Sequence, residues 1–318
     1  MGTAVSPGVV PKRVAALDCG TNALRLLIAE LNEEGQLIDV LRRMETVRLG
    51  EGVDATGVLS EAALARTFAG FEDYAQELRK YGVTKVRCVA TSASRDARNA
   101  EEFVRGVVER IGVEPEVITG TEEAELSFAG ATMGLSGLEM PALIVDLGGG
   151  STEFVLGTER PEFAWSANVG CVRMTERHLR SNPPSLTERE LTQSDVDAAI
   201  DEAAAHVPLS DAHSIVGLAG TVTTVAAQAL HLDRYDAEVL HGARIKSEDV
   251  VTAARQLTDM TREQRAALPF MHPGRVDVIG GGAMVLARIV ERVGLPELVV
   301  SEHDLLDGIA YSLAHEVK

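Results

Sequence analysis

Two distant stretches of this chain repeat one pattern. Near the N-terminus an apolar run, "VAALD" (14–18), ends on Asp18 and passes into Cys19, Gly20, Thr21 and Asn22. Far downstream "ALIVD" (142–146) ends on Asp146 and passes into Leu147, Gly148, Gly149, Gly150, Ser151 and Thr152. Each copy is a strand, an acid and a glycine-hydroxyl turn, followed by a second apolar strand. Such a repeat predicts two related α/β domains that face each other across a cleft.

The remaining elements fit that plan. In the first copy, 14–18, 24–31 and 36–49 read as strands, with a hairpin turn at 32–35. Residues 1–13 read as a loose arm. Leu64, Phe68, Phe71, Ala75 and Leu78 step by three and four along a helix that ends near Gly82. A strand at 85–91, a helix at 100–112 and a strand at 115–119 follow, then a helix from Thr121. In the second copy, strands at 142–148, 152–157 and 161–170 lead into helices at 171–181 and 187–206. Thr187 and Glu190 form a capping-box pattern for the second of these helices. A strand at 214–220, a mainly helical stretch, a strand at 297–302 and a helix near 305–316 complete the chain. The domains are expected at 1–128 and 129–304, with the helix at 305–318 packing back on the first.

Composition narrows the function classes. The 318 residues suffice for two domains, and 45% are hydrophobic, enough for two cores. The formal net charge of −18 argues against nonspecific binding to nucleic acid or an anionic membrane surface. It leaves room for an anionic substrate, because a local site can oppose the global field. Cys19, Cys88 and Cys171 have no metal or redox spacing, as expected of buried thiols in a reducing cytoplasm. No apolar run reaches the roughly 18 residues of a membrane span.

The two turns suit phosphate. Glycine lets the backbone reach left-handed conformations and approach a ligand closely, and successive N–H groups make an anion-binding nest. Gly20, Thr21 and Asn22 in one turn, and Gly148, Gly149, Gly150 and Ser151 in the other, are the candidates. Asp18 and Asp146 end their strands where a carboxylate can hold Mg²⁺ or a metal-bound water. The pattern is neither a Walker A loop nor GxGxxG, since no lysine follows and the next element is a strand. A third turn, "GLAGTVTTVAA" (217–227), puts Gly220 and Thr221 at a helix N-terminus, which favours anions. Arg25, Arg95, Arg98 and Arg173 offer forked donors for phosphate oxygens or are surface residues. His272 and Arg275 lie on a further loop, where a lone histidine is more often structural. Thr119 and Glu122 fit a capping box, which leaves Glu123 unexplained and available as a general base for water.

Taken together these stretches resemble the exopolyphosphatase / guanosine pentaphosphate phosphohydrolase (Ppx/GppA) family, within the actin-like ATPase superfold. The matching segments are "DCGTNALRLLI" (18–28), "ATSASRDARN" (90–99), "ITGTEEAELSFAG" (118–130) and "VDLGGGSTEF" (145–154). They continue with "NVGCVRMTE" (168–176), "GLAGTVTTVAA" (217–227), "MHPGRVDVIGGGAMVL" (271–286) and "VSEHDLLDGI" (300–309). The resemblance implies two actin-like (ribonuclease H-like) domains and a cytoplasmic, homodimeric phosphoanhydride hydrolase dependent on Mg²⁺ or Mn²⁺. It would release terminal phosphate from inorganic polyphosphate, or convert guanosine pentaphosphate to tetraphosphate. By the same resemblance Glu123 is the base, Asp146 and Glu153 organise metal and water, Asp18 joins them at the metal, and Arg95 faces phosphate.

Two departures carry expectations of their own. Where the family often has arginine or glycine, this chain has His303 and Asp304, so its last loop is less basic. The extra helical domains of long family members have no counterpart in this sequence. With the acidic net charge, these features predict weak processivity and a preference for short polyphosphate or a small phosphorylated ligand. The rival readings are a metabolite kinase of the same superfold and a nucleotide-binding sensor that signals through closure.

Overall fold

The computed structural model describes residues 13–32, 37–83 and 85–315, and both expected hairpins are present. Of the expected arm (1–13) only Arg13 is described, as the first residue of a strand, and residues 1–12, 33–36 at the tip of the first hairpin, 84 and those beyond 315 lie outside the described residues. The first sheet comprises β1 (Arg13–Cys19), β2 (Ala23–Leu31), β3 (Leu37–Thr46), β4 (Lys85–Ala90) and β5 (Glu116–Val117), in the order β3-β2-β1-β4-β5. The second comprises β6 (Ala142–Leu147), β7 (Thr152–Gly157), β8 (Pro161–Ala167), β9 (Ser214–Leu218), β10 (Arg244–Lys246) and β11 (Glu297–Val300). Its order is β10-β11-β9-β6-β7-β8.

The duplication holds at the level of register. β1 is antiparallel to β2 and parallel to β4, and β6 is likewise antiparallel to β7 and parallel to β9. Asp18 sits opposite Arg25 across the first hairpin, and Asp146 opposite Glu153 across the second. The turns close with the same bond, Gly20 N to Ala23 O at 2.9 Å and Gly148 N to Ser151 O at 3.0 Å. Central strands are buried on both faces, which explains their unbroken apolar runs.

Two helices tie the halves together. Gly120–Thr132 straddles the expected domain boundary and packs Ala124, Phe128 and Ala131 on the second sheet, against Ala142, Ile144 and Val155. Leu305–His315 packs Leu305, Leu306, Ile309 and Leu313 on the first sheet, against Val14, Ala16 and Leu27. The two helices cross with almost no clearance. A Cβ on Gly130 would overlap the Asp304 carbonyl, and one on Gly308 the Leu126 carbonyl.

One local expectation is corrected. The long helix is Leu186–His206, and its capping box is Ser185 with Glu188, not Thr187 with Glu190. Both pairs have the right spacing. Glu188 wins because its carboxylate also accepts from the N–H groups of Arg180 and Ser181, drawing the preceding loop onto the helix start.

Candidate active site

The two glycine turns meet at the cleft. Thr21 of the first turn lies against Gly149 and Gly150 of the second, and its hydroxyl shares a 2.7 Å hydrogen bond with Ser92. None of Gly20, Gly148, Gly149 and Gly150 has a left-handed φ. The expected reason for these glycines is therefore corrected in part: what they provide is clearance. A Cβ on Gly149 would stand 2.9 Å from Thr21 Cβ, so side chains there would push the halves apart.

Behind the contact lies a cavity of about 130 Å³. Its walls bring together Asp18, Gly20, Thr21, Asn22 and Arg25 from the first half. The second half contributes Asp146, Gly148, Gly149, Ser151, Gly220 and Thr221, and Glu123 comes from the helix between the halves. Three expected residues stand off this wall. Gly150 lines a smaller recess on the far side of Thr21. Glu153 is 1% exposed and accepts a 2.7 Å hydrogen bond from Ser166. Arg95 donates to Glu123 at 2.7 Å and to the Ile118 carbonyl at 3.0 Å.

The acids form an electrostatically strained set. Burial pushes Glu123 up to about 7, against the pull of Arg95. Asp146 rises to about 6, from burial and then from the charge of Asp304. Glu153 rises well above the carboxylate range through burial and the charges of Glu123 and Asp146. Asp18 also rises, mainly by burial, with Arg25 opposing. Burial would raise Asp304 too, but Arg25 and the Leu306 N–H outweigh it and hold that carboxyl below its usual value.

Arg25 is bracketed by acids. Its Nε donates to Asp18 Oδ2 at 2.7 Å and its Nη1 to Asp304 Oδ2. Arg275 lines the same cavity, and no ion-pair partner is found for it among the described residues. It donates to Thr224 Oγ1 at 3.2 Å, and Gly220 makes room for its guanidinium. Next to Gly220, Ala219 has φ +69°, a conformation that is strained for a residue with a Cβ and that turns the helix start into the cavity. Arg173 and Arg98 are spent elsewhere. Arg173 bonds the Gly150 carbonyl, Asp54 and Asp96, and Arg98 the Thr56 carbonyl. His272 caps locally, accepting from Gly274 N at 3.1 Å. Glu122 pairs with Arg87 at 3.1 Å.

The donor set fits a hard divalent cation. Asp18 Oδ1 and Asn22 Oδ1 are buried without a hydrogen-bond partner, and both residues line the cavity. Among the described residues, no three His, Cys, Asp or Glu side chains converge on one point. Asp18, Asp146 and Glu153 thus make no ready-made cage. One or two carboxylates completed by water and phosphate oxygens is the coordination Mg²⁺ favours.

The model of the Ppx/GppA phosphatase family matches residues 27–317. The chain belongs to the Ppx/GppA family. It is accordingly an enzyme, a hydrolase acting on phosphoanhydrides, built on the two sheets described above. Over 314 residues it is 49% identical to exopolyphosphatase 2 of Mycobacterium tuberculosis (strain CDC 1551 / Oshkosh), covering 95% of this chain and 98% of that protein. A crystal structure of an exopolyphosphatase-like protein superposes with a TM-score of 0.93 at 41% identity, over 96% of this chain and all of the other. A Ppx/GppA family member from Aquifex aeolicus superposes with a TM-score of 0.78 at 29% identity, over 96% of this chain and 98% of its own. Among the described residues, no helix is long and apolar enough to cross a membrane.

Proposed function

We propose that this enzyme releases terminal phosphate from inorganic polyphosphate, with Glu123 as the general base for water. The observation that carries this reading is the placement of Glu123. Its carboxylate lines the cavity between the two glycine turns, and burial brings its pKa to about 7, where a base is half ionised at neutral pH. Gly20–Asn22, Gly148, Gly149, Ser151, Gly220, Thr221 and Arg275 receive phosphate oxygens. The attacking water forms the new P–O bond and passes its proton to Glu123. The bridging P–O bond breaks, and its electron pair leaves with the shortened chain. A divalent cation held by Asp18 and Asp146, Mg²⁺ or Mn²⁺, would neutralise phosphate charge as the chain aligns. Glu153, its carboxyl pushed up by burial and by Glu123 and Asp146, and Ser166 keep the second hairpin's polar face ordered behind Asp146.

Short chains suit this site best. Beside the cavity lies a recess of about 120 Å³ lined by Arg25, Arg42, Arg43 and Arg275, but also by Glu302 and Asp304, and Arg43 is paired with Glu45 and Glu77. Asp304 already occupies Arg25, and Asp307 occupies Arg42. Little uncompensated positive charge is left to hold a long polyanion.

The test is phosphate release in Mg²⁺ by wild type and Glu123→Gln, on short polyphosphate, long polyphosphate and guanosine pentaphosphate. The expected result is release by wild type, fastest from short chains, with a loss of about 10²-fold or more in the variant. Equal rates for the two proteins remove Glu123 as base. A clear preference for the nucleotide replaces polyphosphate as the substrate, and no release from any of the three overturns the reading.

A further inference from the structure

Ser127 lies one helical turn beyond Glu123 on Gly120–Thr132, fully buried, on the face that otherwise packs Ala124, Phe128 and Ala131 against the second sheet. A hydroxyl in that apolar layer costs free energy unless it is bonded. A helical serine or threonine commonly returns its hydroxyl to the carbonyl four residues back. Thr132 on this same helix does so, to Phe128 O at 2.9 Å. Ser127 instead donates to Asp146 Oδ2 at 2.6 Å, a short bond to an acid that lines the cavity.

That bond fixes one oxygen of Asp146 toward the helix and leaves the other for the cavity. Among the described residues no cation pairs with Asp146 directly, although the charge of Arg25 acts on it. Arg25 bonds Asp18 and Asp304, and Arg95 bonds Glu123. Its neighbours Asp18 and Asp304 repel it. Without the serine, the carboxylate would be free to rotate away from the acids beside it. Glu123 and Ser127 also stand on one rigid helix, so a single body sets both the proton acceptor and the orientation of Asp146.

We infer that Ser127 is a positioning residue, which orients Asp146 so that its second oxygen and Asp18 together receive a divalent cation. This rests on the cation assigned under the proposed function. Residues that orient a ligand from behind typically change metal affinity by about 10–100-fold when removed.

The experiment measures Mn²⁺ binding without substrate, by the electron paramagnetic resonance signal of free Mn²⁺, on wild type, Ser127→Ala and Ser127→Cys. Cysteine keeps the side chain's approximate size with a much weaker donor, so it reports on the bond if the alanine variant folds poorly. The expected result is affinity weaker by about tenfold or more in Ser127→Ala and weaker in Ser127→Cys. The Mg²⁺ concentration for half-maximal phosphate release should rise by a similar factor, with kcat at saturating Mg²⁺ changed much less. Unchanged Mn²⁺ affinity in both variants, with only thermal stability lowered, would reduce Ser127 to packing and overturn the inference, as would wild type that binds no Mn²⁺. Mn²⁺ affinity that falls in a protein releasing phosphate from no substrate would sink the hydrolysis reading and leave Ser127 in place.

Discussion

Arg95 shows how one side chain can tune a neighbouring carboxylate, since it donates to Glu123 at 2.7 Å. It holds Glu123 from the side away from the cavity and lowers a pKa that burial raises. Replacing it with glutamine keeps a hydrogen-bond donor but removes the charge. As the proposed base, Glu123 must be ionised to accept a proton, so its pKa should set the acid limb of the rate profile. In Arg95→Gln that pKa rises further. The limb in kcat/KM should move to higher pH, with activity at pH 6 falling more than activity at pH 8. A limb that stays in place while activity falls equally at every pH would assign Arg95 to substrate contact instead. The strand-terminal acids and the glycine-hydroxyl turns were legible in the sequence because each lies within a few residues of its partner in the motif. Ser127 and Asp304 were not legible as site residues. Their partners lie 19 and 279 residues away, and only the packed structure brings them together.

Among the elements, the two hairpins were legible because strand, acid and turn are local and occur twice. The helix Gly120–Thr132 was legible as a helix, but its packing was not. Its apolar residues suit either sheet, and the second sheet is chosen by where Ala124, Phe128 and Ala131 find complementary strands. Its crossing with Leu305–His315 depends on Gly130 and Gly308, whose missing side chains let two backbones meet. The same crossing carries a shared cap. Asp304 accepts from Leu306 N through Oδ1 and from Arg25 through Oδ2, while Asp307 accepts from Asp304 N and from Arg42. Gly308→Ala should therefore act twice. Overpacking predicts a loss of about 1–3 kcal/mol in unfolding free energy. Displacing Asp304 from Arg25 should also free that guanidinium for phosphate and lower KM for polyphosphate, which an equally destabilising substitution far from the site would not do. Urea unfolding together with steady-state kinetics checks both, and wild-type stability in Gly308→Ala would contradict the close crossing.

At the scale of the whole molecule, the buried acids couple folding to pH and, under the proposed function, to a cation. Glu123, Asp146, Glu153 and Asp18 all have folded-state pKa values above their ordinary ones. The folded chain therefore binds more protons than the unfolded chain between the ordinary carboxylate range and about pH 7, the value for Glu123. Stability from these groups is present at the acid end of that window and is lost as pH rises through it. His241 and His272, held below the usual histidine value mainly by burial, tilt the other way, so the difference between proteins is the clean measure. In metal-free buffer, wild type should lose more stability from pH 5 to 7.5 than a Glu123→Gln, Glu153→Gln double variant, in which two of the titrating carboxyls are gone. Saturating Mg²⁺ should shrink the loss in wild type, because the cation binds the ionised acids of the folded state and not the unfolded chain. Differential scanning fluorimetry across pH, with and without Mg²⁺, reads both effects. If wild type and the double variant have parallel pH profiles, these acids are not burdened as their burial implies. A profile indifferent to Mg²⁺ up to pH 7.5 would remove the cation from the acids at the cleft. The repulsion among these buried acids is what the proposed cation and its phosphate partner would relieve, so stability and substrate binding should rise together with Mg²⁺ concentration.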